Sequence, residues 1–409
     1  MVRAPAVLLL AIAVFAAITY GLVSAATPLP AEVDRLVFGV SPDSREYLSV
    51  SRWIFAATPV PDASINRPIL YPLFLGLSAV AGVKAVWIGQ ALLWLASAVL
   101  VSLAVRRRTG SRVLMLLAGA LFVGHPSLVA LTYFGLTETL TVFLLALWLN
   151  VAASPGWLSD RRRILESVLL LALLTITKPV FKYALAVYLV AVVVATWRQR
   201  QGLAARLLAV SVGLAPVLIQ LAVMLDAHGI FDLSRVSRIG RDRHLLPAVY
   251  CHVHERQDLE AGWAAIADLS DADKNAYLVD HWPATAVVFA HNLVDGNLTR
   301  GSEFLKNEGQ APRLWSWTRR YNMNLARLHA LLVPLLLFLG WRRQALELLP
   351  VAAVGLLLLF STGLVFWAGD RLVAFTLPIW IYVYLGLGAE WLRARGRSRS
   401  ATESSMPKK

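Results

Sequence analysis

The chain has 409 residues, of which 58% are hydrophobic and 16% charged, and its formal net charge is +14. Soluble domains carry about 25% charged residues, so this composition excludes an ordinary soluble globular protein and predicts an integral membrane protein. The single cysteine, Cys251, excludes an internal disulfide and a thiolate metal cluster.

The positive charge is concentrated in short clusters that end the apolar segments. This distribution is typical of the positive-inside rule, which sets the orientation of membrane proteins. No aromatic residues are interleaved with the clusters, so a nucleic-acid partner is not expected. The clusters are Arg106–Arg108, Arg161–Arg163, Arg198 with Arg200, Arg342–Arg343 and Arg393–Arg399.

The apolar segments predict about ten transmembrane helices. A span needs about 20 apolar residues, and it must be helical because backbone groups cannot stay unpaired in hydrocarbon. With the N-terminus in the cytoplasm, every basic cluster falls on the cytoplasmic side, and so do both termini. The predicted spans are 6–26, 84–105, 111–126, 131–152, 164–178, 182–197, 204–225, 328–341, 344–366 and 371–391.

The predicted fold is an all-α integral membrane protein with two regions on the outer face. Residues 1–225 form an N-terminal transmembrane module that contains the first outer loop, 27–83. Residues 226–327 form a large periplasmic or extracellular loop region, and 328–391 contain the C-terminal transmembrane helices. Residues 392–409 are predicted to be a disordered basic cytoplasmic tail. The expected location is the inner (plasma) membrane.

The first outer loop contains the stretch PDSREYLSVSRWIFA, residues 42–56. It predicts an amphipathic helix along the membrane surface, with Asp43 or Ser44 as the N-cap. Two interpretations remain open for Asp43. It either caps the helix within a solvated loop, or it is a reactive carboxylate held at the membrane surface.

Further ionisable residues are predicted at the same depth on the outer side. Each alone is typical of an interfacial anchor, but together they predict a cavity at the outer leaflet that receives an anion. They are Arg67 before a short apolar helix at 69–81, Glu138 at the mouth of the fourth span, Lys178 and Lys182 on one helix face, and Asp370 with Arg371 near the last span.

The second outer region contains the stretch CHVHER, in which Cys251, His252 and His254 are possible metal ligands. No second group of Cys or His residues stands at the spacing of a zinc site. We therefore expect no cofactor, and a divalent metal stays an alternative that the sequence does not support.

The motifs PDSREY, RPILYPLFLGL, LTETL, TKP and GDR…LP occur in this order along the chain. In that order they resemble the membrane glycosyltransferases of the GT-C superfamily. The similarity is to the bacterial branch related to the protein O-mannosyltransferases and to the aminoarabinose transferase of lipid A. It covers roughly residues 1–190 and returns near 365–380.

This resemblance implies an inverting transferase that moves a sugar from a polyprenyl phosphate to a lipid or glycan acceptor. The acidic residue that acts as the base in the family corresponds to Asp43. Glu46 and Glu138 are alternative candidates for the base, or for a residue that orients the acceptor. Charge develops on the departing phosphate, so Arg and Lys side chains are expected to face it. The candidates are Arg67, Lys178, Lys182 and Arg371, and the resemblance adds Tyr71 through the Arg-x-Pro…Tyr-Pro element of the family.

Two alternatives remain at this point. A different membrane polymerase or ligase of cell-surface glycans would use an Arg-rich patch in the large outer loop, such as SRVSRIGRDRH at 234–244. A transporter would show inverted repeats and charges near the middle of the bilayer, and the sequence shows neither.

Overall fold

A computed structural model describes residues 3–26, 42–56, 58–199, 203–302, 312–341, 347–365 and 370–404. Over these ranges the chain is helical and has no β-strand, which confirms the all-α fold class. The N-terminal helices are α1 (Arg3–Ala26), α2 (Pro42–Ala56), α3 (Leu70–Ala79), α4 (Val83–Thr109), α5 (Arg112–Val123), α6 (Pro126–Ala130), α7 (Glu138–Ala152), α8 (Arg161–Thr175), α9 (Phe181–Gln199), α10 (Leu203–Gly213) and α11 (Ala215–His228). The C-terminal helices are α12 (Val236–Ile239), α13 (Leu246–Val253), α14 (Leu259–Ile266), α15 (Asp271–Asp280), α16 (Trp282–His291), α17 (Pro312–Trp341), α18 (Leu349–Ser361), α19 (Arg371–Ala374) and α20 (Leu377–Ser404).

Helices α4 and α7 lie at the centre of the bundle. α4 packs against α5, α7 and α20, and α7 also packs against α8. The α7 sequence is apolar on every side, and most of its residues are buried, Trp148 completely. A helix that is apolar all round is typically enclosed by other helices. This central position also places Glu138, its first residue, inside the protein.

Helices α2 and α3 pack against each other beside the bundle. α3 confirms the short helix predicted at 69–81. α2 begins at Pro42, so the predicted N-cap at Asp43 or Ser44 is wrong and both residues lie in the first turn. Proline favours the first helical turn because its fixed φ suits the helix. Gly76 permits the close approach of the two helices, since a methyl group there would collide with the Phe55 ring.

By length and composition, one described helix could cross a bilayer, Lys84–Thr109. Two bent pairs would raise this number to three if each counts as one span. They are Arg112–Val123 with Pro126–Tyr133, bent by 60°, and Leu203–Gly213 with Ala215–His228, bent by 44°. The ten spans therefore stay a prediction.

Several helix boundaries differ from the predicted spans. Residues 131–133 form a 3-10 turn, and α7 begins at Glu138 rather than at 131. α17 begins at Pro312, inside the region predicted as loop up to 327, because hydropathy detects only the apolar half of this helix.

α20 continues to Ser404, whereas the sequence predicted a disordered tail from 392. Leu, Ala, Arg and Glu in that stretch favour helix. Residues 405–409 lie outside the described ranges.

The region 226–327 is largely helical in its described part, residues 226–302 and 312–327. α13 packs against α14 and α16. Leu245, Val249 and Val288 form a small apolar cluster there, separate from the main core. This region is thus a small helical layer with its own core, and its first turns cover the candidate site described below.

Candidate functional site

Arg67 joins α2 to the segment that precedes α3. Its Nη2 lies 2.6 Å from Asp43 Oδ1, and its Nε lies 2.7 Å from Glu46 Oε2. Its Nη1 donates to the Tyr47 hydroxyl at 3.3 Å, and the guanidinium carbon lies 4.9 Å from the centre of the Tyr47 ring. Asp43 and Glu46 stand three residues apart on one face of α2, so a single arginine can bind both carboxylates.

Arg371 extends this network into the bundle. Its Nη2 lies 2.7 Å from the second carboxylate oxygen of Asp43, and its Nε lies 2.7 Å from Glu138 Oε1. Lys178 Nζ also contacts Glu138 Oε1, at 3.1 Å. The side chain of Glu138 is completely buried, so its charge depends on these two cations. Residues far apart in the sequence therefore form one chain of ion pairs from Glu46 to Lys178.

A cavity of about 480 Å³ lies beside this network. Its walls include Asp43 together with four cations, Arg67, Lys178, Lys182 and Arg371. Much of the remaining wall is apolar and includes Pro68, Val180, Ile239, Leu364, Leu372 and Phe375. The cavity thus combines a strongly charged end with walls that suit a hydrocarbon chain.

Three predicted site residues do not line this cavity. Glu46 lies on the far side of Arg67, and Glu138 lies behind Arg371 and Lys178. Tyr71 is completely buried, and its hydroxyl donates to Gln90 at 3.1 Å. Its ring contacts the Tyr47 ring of α2 edge-on, at 5.1 Å between the ring centres. We therefore do not include Tyr71 among the groups that reach a ligand.

The charges around Asp43 control its protonation. Burial by itself raises the pKa of the Asp43 carboxyl, but Arg371 and Arg67 outweigh this effect and hold the pKa below its usual value. Burial lowers the pKa of Arg67, whereas Tyr47, Asp43 and Glu46 raise it more, so the guanidinium stays charged. Asp43 is therefore an ionised acceptor at neutral pH.

A second polar cluster lies directly behind Arg371. Asp370 is buried and accepts hydrogen bonds from the Ser127 hydroxyl and from Asn322 Nδ2, the latter at 3.2 Å. Asn322 Oδ1 also lies 3.0 Å from His125 Nε2. The backbone carbonyl of Asp370 accepts from the first turn of α19. These contacts fix the segment that carries Arg371 against α6 and α17.

The cavity contains polar residues that the sequence analysis did not identify as site residues. Asn66, Thr137 and His244 all line it. Burial lowers the pKa of His244, Arg243 lowers it further, and Asp43 opposes the change. The Arg-rich stretch at 234–244 did indicate this region, but only the structure shows that its last residue reaches the cavity.

No group of three or more metal-ligating side chains occurs within the described ranges. Cys251 is buried and its Sγ contacts the backbone carbonyl of Asp258 at 3.2 Å. His254 Nε2 lies 3.4 Å from the Tyr277 hydroxyl. The three CHVHER residues are thus not arranged as a metal site in this structure.

We compared the chain with family models, with curated proteins and with solved structures, and none of the three comparisons gives a match.

Proposed function

We propose that this protein is an integral membrane glycosyltransferase of the inner membrane. It would move a sugar from a polyprenyl phosphate to a lipid or glycan acceptor on the outer face. The observation that carries the proposal is the position of Asp43. Its carboxylate lies between Arg67 and Arg371 on the wall of a cavity that also exposes Lys178 and Lys182.

The cations of the cavity suit the phosphate of the donor. Arg371 and Lys178 share the buried carboxylate of Glu138, which holds them in place. Within the described residues, no carboxylate lies within 4 Å of Lys182, whose Nζ lies 5.3 Å from the centre of the Tyr183 ring. We assign the first contact with the phosphate to Lys182, because its ammonium does not have to leave a described carboxylate partner.

The apolar part of the cavity suits the prenyl chain of the donor. Val180, Leu372 and Phe375 lie beside the cations Lys178 and Arg371 in the lining. A ligand with a phosphate at one end and a hydrocarbon chain at the other would match both parts of the wall. A free nucleotide-sugar would match only the charged part.

The reaction needs one base and a stabilised leaving group. Asp43 accepts the proton of the acceptor hydroxyl, and the hydroxyl oxygen attacks the anomeric carbon of the sugar. The bond between that carbon and the phosphate oxygen breaks, and its electron pair stays on the polyprenyl phosphate. Arg371 and Lys182 stabilise the charge that develops there. The phosphate is already a good leaving group, so a second carboxylate to protonate it, as in glycosidases, is not required.

Donor binding would also release Asp43 for this role. Both of its oxygens are engaged by arginines. A phosphate that binds Arg371 would compete with one of these contacts, because both are anions that use the same guanidinium fork. The freed carboxylate oxygen would then face the cavity and the acceptor hydroxyl.

The experiment is sugar transfer by the purified protein from a polyprenyl-phosphate sugar, with three matched amide variants. We expect Asp43→Asn to lower the rate by about 10²–10⁴-fold, as for loss of a general base. Glu46→Gln is the control with the same change on the same helix face, and it should retain most of the activity. Glu138→Gln removes the charge of the buried carboxylate that holds Arg371 and Lys178, and its transfer rate tests that role.

Near-normal transfer by Asp43→Asn would exclude Asp43 as the base, and a large loss in Glu46→Gln beside it would move the base to Glu46. Undiminished transfer in all three variants would remove the acidic cluster from the mechanism. Equal thermal stability of wild type and Asp43→Asn is needed to assign a loss of rate to chemistry rather than to folding.

A further inference from the structure

The exposed face of α17 carries a row of arginines outside the cavity described above. Arg313, Arg320 and Arg327 are spaced by seven residues, so they lie on one side of the helix. All three are exposed, and Trp317 between them is 54% exposed. In the part of the chain that the structure describes, no carboxylate lies within 4 Å of any of them.

A groove of about 630 Å³ runs along this face. Its described lining consists of Arg313 and Arg320 with Trp317, Tyr321 and Asn324, and with Pro312 and Ser316 at its start. The arginines offer planar donor groups that match the oxygens of a phosphodiester. The aromatic rings offer the amphipathic surface that is typical of the membrane–water boundary.

The same face changes character abruptly after Arg327. The exposed residues that follow are apolar, whereas those before are basic, aromatic or amide. They are Leu328, Leu331, Leu335 and Phe338, which are 41–69% exposed. The half of the helix that exposes leucine suits contact with lipid tails, and the half that exposes arginine suits contact with lipid headgroups.

The opposite face of α17 is occupied by the bundle. Thr318, Asn322, Leu325 and His329 are all buried. Asn322 contacts Asp370, next to Arg371 of the candidate site. The arginine row is therefore separated from the cavity by the body of the helix, and it is free to bind a second ligand.

We infer that the groove of α17 binds the phosphodiester headgroup of an anionic phospholipid in the outer leaflet. The inference rests on the membrane placement in the proposed function, but not on sugar transfer. Arg313 and Arg320 bind the phosphate, Trp317 between them packs against the headgroup, and the exposed leucines contact the acyl chains. The apolar band next to the arginines selects a lipid over free phosphate, which would use the arginines alone.

The test is native mass spectrometry of the full chain in mixed micelles with equal amounts of phosphatidylglycerol and phosphatidylcholine. We expect the wild type to retain phosphatidylglycerol preferentially. Arg313→Gln with Arg320→Gln should reduce that preference by about ten- to thirty-fold, given the contribution of each arginine near an anionic surface. The matched control is Lys84→Gln with Arg256→Gln, which removes two exposed cations elsewhere on the proposed outer side and should leave the preference unchanged.

Three results would overturn the inference. The first is an unchanged lipid preference in the α17 double variant. The second is an equal loss in the control, which would make the effect one of net charge. The third is displacement of phosphatidylglycerol by millimolar inorganic phosphate, which would assign the groove to free phosphate. Sugar transfer is measured in a separate assay. A negative result on lipid binding therefore does not contradict the proposed function, and a negative result on sugar transfer does not contradict lipid binding.

Discussion

Asp43 is held in its ionised form by two arginines despite its partial burial. Its side chain is 29% exposed, whereas that of Arg67 is 11% exposed and that of Arg371 is 19% exposed. Ion pairs at this depth are screened less than those at a surface, and each partner is costly to remove. The two arginines are therefore coupled through one carboxylate, and a change at Asp43 affects both.

The lowered pKa of Asp43 predicts how its contribution to stability depends on pH. Because the folded pKa lies below that of an unfolded aspartate, the stabilisation is fully present above the unfolded value and is lost as the pH falls through the folded value. The difference in thermal stability between wild type and Asp43→Asn should thus not narrow from roughly pH 8 to pH 5, above the titration of a free aspartate. Because the Asp43 charge raises the pKa of His244, its removal should if anything widen the difference as histidine titrates. The measurement is the unfolding midpoint of both proteins in detergent across that range.

A control separates this effect from histidine titration. The lowered pKa of His244 makes its neutral form the favoured one in the folded protein, so stability should decline as the pH falls through the usual histidine value of 6.5. His244→Gln should weaken that decline, while Asp43→Asn should not. A gap between wild type and Asp43→Asn that already narrows between pH 8 and pH 5 would show that the carboxyl is not held ionised.

The sequence identified the charged members of the site but not their mutual contacts. Asp43, Arg67 and Arg371 could be recognised because charges are rare beside apolar segments, and each stood at the predicted outer end. The sequence could not show that Asp43 is shared by both arginines, because that contact joins residues more than 300 positions apart. The sequence also could not show that Tyr71 is buried away from the cavity, because the motif does not reveal which face of α3 it occupies.

At the scale of helices, hydropathy predicted most segments but missed their ends. α7 begins at Glu138 because the preceding apolar residues turn through 60° after α5 and form short pieces, α6 and a 3-10 turn. Window averages cannot detect such a bend, since the composition stays apolar on both sides of it. The bend places a glutamate at the start of a buried helix beside Arg371.

The link from α19 to α6 and α17 through Asp370 predicts a second stability effect. Asp370→Ala leaves the Ser127 hydroxyl and the Asn322 amide without this buried acceptor, which should cost about 1–3 kcal/mol. Asp370→Asn keeps one carbonyl oxygen that can accept from either donor, so its loss should be smaller. The measurement is the free energy or midpoint of unfolding of the detergent-solubilised protein.

Asp295 provides the matched control for Asp370. Its carboxylate pairs with His291 on the surface and is 63% exposed, so Asp295→Ala should change stability by about 0.5 kcal/mol or less. Equal effects of Asp370→Ala and Asp295→Ala would contradict the role of Asp370 as an anchor for the segment that carries Arg371.

Across the whole molecule, two polar clusters lie at opposite ends of α7. Glu138 at its start belongs to the candidate site, and Asn150 near its end accepts from Arg107 at 3.4 Å through its backbone carbonyl. Twelve residues of helix separate these points by about 18 Å, which is less than the roughly 30 Å thickness of hydrocarbon. On the proposed topology, the candidate site is therefore recessed below the outer surface rather than placed on it.

The end of the molecule opposite the candidate site has its own ion pairs. Arg108 at the end of α4 contacts Glu347 and Glu390, and Arg393 of α20 donates to the backbone carbonyl of Thr109 at 2.8 Å. These contacts bring together residues from two of the basic clusters that the positive-inside rule assigns to the cytoplasm. The two polar ends of the bundle thus correspond to the two sides of the proposed topology.

This correspondence predicts which side of the membrane each loop faces. In a Cys251→Ala background, a cysteine at the exposed position Glu260 should react with an impermeant maleimide in intact spheroplasts, because the proposed topology places the region 226–327 outside. A cysteine at the exposed position Pro155, between α7 and α8, should react only after the membrane is opened, since the positive-inside rule places that loop in the cytoplasm. The two positions serve as controls for each other. The reverse pattern would place the candidate site on the cytoplasmic side, where a donor on the outer leaflet could not reach Asp43.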